Sequence, residues 1–218
     1  MPKQLSLWAD APESLSKSPF TNAQSLSLPD ADIWFDPAFL DSETSDRLFE
    51  QLKRTTQWKQ EQITICGKTM PLPRLTAWYG DPGTEHCYSG ITMIPQGWTP
   101  ALLEIRAAVE AIAPVRFNSV LLNLYRQGQD SVAWHSDDEP ELGQNPTIAS
   151  VSLGATRRFK LRHKHQKTLK QSLDLTHGSL LLMQGSTQHY WQHQVPKTAK
   201  PVGDRINLTF RVIYSLNG

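Results

Sequence analysis

The sequence predicts a mainly β domain with helices on its flank, an α+β chain whose sheet is closed or doubled. Three observations predict it. From Phe117 onward short apolar strands recur at close spacing, punctuated by Gly128, Gly143, Gly154, Gly178 and Gly185, the pattern of a barrel or sandwich. Ahead of them Thr99, Pro100 and the stripe Leu102, Leu103, Ile105, Val109, Ile112 supply the cap, first-turn proline and apolar face of a helix that Pro114 stops. Earlier still, residues 62–70 alternate about Gly67-Lys68 as a β-hairpin does.

Taken in order, residues 1–28 are rich in Ser, Pro, Ala and Gln, too polar to order themselves, and read as a flexible tail before a domain over 29–218. Ile33-Trp34-Phe35 reads as a short buried strand. Asp41 or Ser42 caps a helix carrying Leu48, Phe49 and Leu52. After the hairpin and the second helix, strands are expected at 119–125, 131–135, 148–153, 159–163, 172–175, 179–183 and 207–214. The chain of 218 residues is long enough for one sizeable core. A net charge of +1 excludes a global basic field, so any nucleic-acid contact must come from a local patch. Cys66 and Cys87 lack metal-type spacing and read as free thiols in a reducing compartment. The longest apolar candidate, around 101–115, is broken by Glu104, Arg106 and Glu110, and Lys3 is not followed by a signal-peptide core. The expected location is cytoplasmic.

Chemistry concentrates in a few places. His135 and Asp137 stand two apart on a strand, so both point to one side. With a His from elsewhere they make a facial triad, which leaves open positions on a non-haem Fe(II). His189 and His193, read as sharing one strand face, both qualify as the third ligand, and spacing does not choose between them. In the last strand Arg205, Asn207, Thr209 and Arg211 alternate with Ile206, Leu208 and Phe210. If the polar face turns into a barrel, its two guanidinium groups demand an anion, and their separation suits a small dicarboxylate. Asn123 and Tyr125 alternate the same way and can add donors. Arg158, Lys160, Arg162 and Lys164 share the outer face of another strand, in a stretch without acidic residues that runs on to Lys170. This one-sided basic strand reads as a phosphate track.

Together these residues resemble the AlkB-type 2-oxoglutarate- and Fe(II)-dependent dioxygenases, with the nucleic-acid dealkylases nearest in pattern. The resemblance runs from about Ile33 to the C-terminus. Its motifs, in order, are Pro73-Arg74, Tyr79-Gly80-Asp81, Tyr88-Ser89-Gly90, Asn123-Leu124-Tyr125, His135 through Glu139, Ile148 through Gly154, His177 through Leu181, and the terminal Arg/Asn/Thr/Arg strand. It implies a double-stranded β-helix, or jelly roll, with two outer helices and an early β-hairpin. It implies oxidative dealkylation of N-alkylated DNA bases with Fe(II), 2-oxoglutarate and O2. The same chemistry on RNA or protein, and a non-catalytic nucleic-acid-binding module, are the alternatives.

The resemblance also implies roles. His135, Asp137 and His193 would hold iron, His193 because Val195-Pro196 follows it. Arg205 and Tyr125 would meet the distal carboxylate of 2-oxoglutarate, Arg211 and Asn123 the end that chelates iron, with Asn207 and Thr209 between. Tyr88 and His86 fall where relatives contact the damaged base, Asp138 and Glu139 where they read its polar edge; Arg74, Gly67 and Lys68 are placed on the substrate side. Cys66 stands at the hairpin tip, where duplex-active relatives carry an intercalating aromatic. Cys stacks poorly, so single-stranded DNA is the expected partner. In the tail, Gln4-Leu5-Ser6-Leu7-Trp8 resembles the short peptide by which bacterial repair proteins dock on the sliding clamp, with Trp8 replacing the usual Phe.

Overall fold

The structure is a computed structural model that describes residues 22–65, 67–84, 86–88 and 91–214. The expectations for the clamp-like peptide and for Cys66 lie outside these residues, as do those for the side chains of His86 and Tyr88. Strands β1 (Gln24–Ser25) and β2 (Asp32–Asp36) lead into helix α1 (Ser42–Thr55). The hairpin β3 (Gln62–Ile65) and β4 (Lys68–Pro71), strand β5 (Leu75–Gly80), the hairpin β6 (His86–Tyr88) and β7 (Ile91–Met93), and helix α2 (Pro100–Glu110) follow. Then come β8 (Ser119–Tyr125), β9 (Val132–His135), a 3-10 turn (Pro140–Leu142), β10 (Ile148–Gly154), β11 (Arg157–His163) and β12 (Lys170–Leu175). The chain closes with β13 (Ser179–Gln184), the short helix α3 (Thr187–Tyr190), β14 (Trp191–Val195) and β15 (Arg205–Arg211).

Both long helices start where side-chain chemistry dictates. Asp41 Oδ1 accepts from the Thr44 backbone N–H at 2.8 Å, satisfying one of the first-turn donors that no helix can satisfy by itself. Thr99 caps α2 in the same way, with Pro100 behind it. α2 ends at Glu110, short of Pro114, where the Glu110 carboxylate accepts from Arg106 Nε and from the Phe117 N–H.

The strands form two antiparallel sheets. The larger runs β1-β2-β13-β10-β15-β8-β5, the smaller β12-β11-β14-β9. Alternation sorts their side chains. Leu122, Val151, Leu182, Leu208 and Phe210 face α1 and α2, where Leu48, Leu52, Leu102 and Ile105 meet them. Ile148, Leu181 and Met183 point the other way, toward Phe159, Leu161, Trp191 and Val195 of the smaller sheet. The expected jelly-roll core with outer helices is what forms. No helix among the described residues is long and apolar enough to cross a membrane.

Three differences from expectation have physical causes. The fold takes in residues ahead of the boundary at 28: Gln24 pairs with Phe35, and Leu26 and Leu28 pack on the inner core, burial that a polar average over the segment conceals. β5 is not among the expected strands: it lacks a two-residue period because both of its faces are covered, with Thr76, Ala77, Tyr79 and Gly80 buried. His189 and His193 do not share a strand, because the turn of α3 ends at Tyr190 and β14 begins after it.

Candidate active site

Cross-strand register assembles the metal-type cluster. β14 lies beside β9 with His193 directly opposite His135, and their rings meet edge to face at 4.2 Å. Asp137 follows at the end of β9 and is buried. One ligand atom from each of His135, Asp137 and His193 lies within 4.8 Å of the others. His189 stands apart, exposed, with Nε2 2.9 Å from Asn145 Oδ1. Of the two histidines that spacing left open, His193 is the one that lies with His135 and Asp137.

The electrostatics suit a cation. His135 Nδ1 sits 2.9 Å from the Ala133 carbonyl oxygen. A carbonyl can only accept, so Nδ1 donates, and Nε2 is the nitrogen turned to the cluster when the ring holds a metal. Burial pushes the His193 pKa down to about 3, leaving a neutral imidazole stacked on Phe159 at 5.2 Å. Burial alone would raise the Asp137 pKa, but Arg211, His193 and His135 together hold it below the usual carboxylate range. Arg211 Nη2 donates directly to Asp137 Oδ1. One carboxylate and two imidazoles, converging on a point, form a donor set that fits a divalent iron.

Sequence reading missed the residue that aims Asp137. Gln188 is buried, and its Oε1 accepts from the Asp137 backbone N–H at 2.9 Å. The two are 51 positions apart, and no local pattern links them. Gln188→Leu is expected to weaken Fe(II) binding about tenfold, the lower end of what loss of an outer-sphere partner costs. Anaerobic Fe(II) titration of the purified variant checks this.

The polar face of β15 turns inward, as the anion argument required. Arg205 is 1% exposed. Its Nη2 donates to Ser152 Oγ at 2.9 Å, and its guanidinium lies 5.0 Å from the centre of the Tyr125 ring. Nε and Nη1 are buried without a partner among the described residues, as is Nε of Arg211. Each buried donor left unpaired costs on the order of 1–3 kcal/mol, so three of them mark a place for an anion. A dicarboxylate such as 2-oxoglutarate fits. Asn207 and Thr209 brace this face: Asn207 Nδ2 donates to Ser150 Oγ at 2.8 Å, and Thr209 Oγ1 donates to Asn207 Oδ1 at 3.1 Å. Ser150 and Ser152, also missed, carry a signal in hindsight, since they alternate with Ala149, Val151 and Leu153 on a buried strand.

Other expected contacts are redistributed. Arg74 donates from Nε to Asn123 Oδ1 at 2.7 Å and from Nη1 to the Ser131 carbonyl at 3.3 Å. The basic strand is free of acids only in sequence: Arg158 pairs with Asp174 at 2.9 Å, and Lys164 with Asp138 at 3.0 Å. Arg162 lies 4.3 Å over the Trp134 ring and donates to Gln192, while Lys160 is exposed. Glu139 buries Oε2 without a hydrogen-bond partner among the described residues.

The 2OG-Fe(II) oxygenase superfamily model matches residues 33–211. The chain belongs to that superfamily. Within it the chain is of the AlkB type: it is 38% identical over 179 residues to the human protein named DNA oxidative demethylase ALKBH2, covering 78% of this chain and 69% of that one. It is 46% identical over 187 residues to the bovine alpha-ketoglutarate-dependent dioxygenase alkB homolog 3, covering 82% of this chain. The chain spans 65% of that relative's length. A solved structure, that of OsALKBH1, shares the fold with a TM-score of 0.59 at 19% identity, covering 86% of this chain and 100% of that one.

Proposed function

We propose that the chain oxidatively dealkylates N-alkylated bases in DNA, using Fe(II), 2-oxoglutarate and O2. One observation carries the reading. The His135, Asp137 and His193 cluster and the unpaired donors of Arg205 belong to one interior, joined by Arg211, which touches Asp137. These are the two halves of an iron and 2-oxoglutarate site. The name DNA oxidative demethylase, borne by relatives such as the human ALKBH2, supports the choice of substrate.

In this reading His135, Asp137 and His193 hold the iron. Arg205 and Tyr125 receive the distal carboxylate, Arg211 and Asn123 flank the chelating end, and Asn207 and Thr209 keep the strand face rigid. When bound, the iron and 2-oxoglutarate supply an oxidation in which O2 is consumed, succinate and CO2 leave, and the alkyl carbon is hydroxylated, so that its bond to nitrogen then breaks with loss of an aldehyde. The protein's share is to orient the base and keep water out. Asp138 and Glu139 face a cationic N-alkylated ring better than a neutral one. The Asp138–Lys164 pair is half exposed and worth only about 0–1 kcal/mol, so a ligand can open it at little cost. His86 and Tyr88 contact the base, and Arg158, Lys160, Arg162 and Lys164 follow phosphates. The protein acts in the cytoplasm, where its thiols stay reduced.

The test is succinate release. Stimulation by a methylated DNA oligonucleotide supports the reading; stimulation by methylated RNA alone moves the substrate to RNA; 2-oxoglutarate left intact with every oligonucleotide leaves only a binding module.

The substrate strand is single. Cys66, next in sequence to Gly67 and Lys68, is a poor base-stack wedge by its chemistry, so methylated single strands are expected to react faster than matched duplex, and Cys66→Phe to raise duplex activity selectively. Equal wild-type rates on both substrates would count against this. The tail peptide Gln4, Leu5, Ser6, Leu7 and Trp8 docks on a sliding clamp, its apolar anchors being costly to leave in water. A peptide of residues 1–12 is expected to bind a bacterial clamp, and a Leu7→Ala/Trp8→Ala peptide is expected not to; equal binding by the two removes the clamp from the account.

A further inference from the structure

Arg157 opens β11 on the inner face of the smaller sheet and is 2% exposed. It accompanies no carboxylate in its hydrogen bonds. Nη1 donates to the Gln127 carbonyl at 3.3 Å, and Nη2 to the carbonyls of Asp130 and Pro196 at 2.9 and 2.7 Å, with Gly128 O at 3.5 Å. The nearby Asp130 carboxylate is already engaged: Oδ2 accepts from Arg126 N and Nε, and Oδ1 from Arg126 Nη2. The Arg157 guanidinium lies 5.6 Å from the centre of the Tyr125 ring, the ring that Arg205 approaches to 5.0 Å.

One buried tyrosine therefore stands against two buried guanidinium groups, neither hydrogen-bonded to a carboxylate. Burying a charge without an opposite charge is expensive, and two like charges in one low-dielectric region raise the cost further. Burial lowers the pKa of both groups, and the Arg157 charge lowers that of Arg205 further. A loop staple alone would need only neutral donors to hold the carbonyls of Gln127, Asp130 and Pro196. The surplus charge is explained if an anion arrives at Tyr125.

We infer that Arg157 is a positioning residue for 2-oxoglutarate, the second cation behind the distal carboxylate, which seats the Tyr125 ring against Arg205 and ties the 127–130 loop to Pro196 around that end of the pocket. This rests on the 2-oxoglutarate reading above. Its place is set by the β10–β11 connection, where Gly154 has φ +88° and a Cβ would collide with the Asp204 carbonyl, so only glycine turns the chain tightly enough to deliver Arg157 there.

The experiment compares two ligands on the Fe(II)-loaded full chain by anaerobic calorimetry: 2-oxoglutarate, and 2-oxopentanoate, which has the same chelating end and no distal carboxylate. The wild type is expected to prefer 2-oxoglutarate strongly. Arg157→Gln is expected to reduce that preference about tenfold, the consequence of about 1.4 kcal/mol, and to leave 2-oxopentanoate affinity and Fe(II) affinity unchanged. Arg157→Lys keeps the charge but cannot fork across the carbonyls, so its preference is expected to fall about threefold, half that change in free energy. If Arg157→Gln fails to bind Fe(II) and so has not folded, the Lys variant decides alone. An unchanged preference, or equal weakening of both ligands, overturns the positioning role. A wild type that binds both ligands equally overturns the 2-oxoglutarate reading instead.

Discussion

His193→Ala is expected to abolish Fe(II) binding, whereas His189→Ala leaves it intact. The loss should exceed the roughly 10–100-fold that removal of an outer-sphere partner costs, because a direct donor disappears from a set of three. The remaining pair, His135 and Asp137, cannot define a face by themselves. Burial adds to the effect. His193 is neutral and enclosed beside Phe159, so water entering the gap left by alanine meets an apolar wall and makes a poor substitute. His189 hydrogen-bonds Asn145 at the surface, and its removal affects only that contact. Anaerobic Fe(II) titration of both variants measures this directly. Metal lost in His189→Ala and kept in His193→Ala would reverse the assignment.

Arg205→Lys is expected to weaken 2-oxoglutarate binding by about 1–3 kcal/mol, the scale of a hydrogen bond to a charged group. The substitution keeps the charge, so the loss comes from geometry. Arg205 holds Nη2 on Ser152 and leaves Nε and Nη1 without a partner among the described residues, donors fixed in the plane of one rigid guanidinium. Lysine offers a point charge on a flexible stem. Arg211→Lys is also expected to weaken the ligand, with an added loss of Fe(II) affinity, because Arg211 supports Asp137. Titrating Fe(II)-loaded protein with 2-oxoglutarate distinguishes the two. Unchanged affinity in both variants would remove the pocket.

Much of this was legible before any coordinates because the relevant physics is local. A strand repeats every two residues, so Arg205, Asn207, Thr209 and Arg211 had to share a face, whereas Asp137 lies past the end of β9 and joins His135 from the segment that follows. A helix start needs a side-chain acceptor and tolerates a first-turn proline, so Asp41 and Thr99-Pro100 located α1 and α2. Even the demand for an anion followed once two arginines were assigned to an inner face. The motifs that resemble the AlkB-type dioxygenases extended this to fold, cosubstrate and iron.

Partner choice across the chain was not legible. Which histidine completes the cluster depended on one turn of helix between Thr187 and Tyr190, which gives His189 to the surface and starts β14 in register with β9. That Arg211 meets the Asp137 carboxylate, 74 positions away, and that Gln188 accepts from the Asp137 backbone N–H, followed from how the two sheets face each other. The basic strand looked unopposed because its acids, Asp174 and Asp138, come from other segments. Arg157 carries no local signal of its place; the Gly154 turn puts it inside, against Tyr125. Sequence alone determined which side chains share a face, since backbone geometry repeats over two to four residues. Only the tertiary structure decided which faces meet, since register between distant strands is set by packing of the whole core, and charges are paired or left waiting for a ligand by that register.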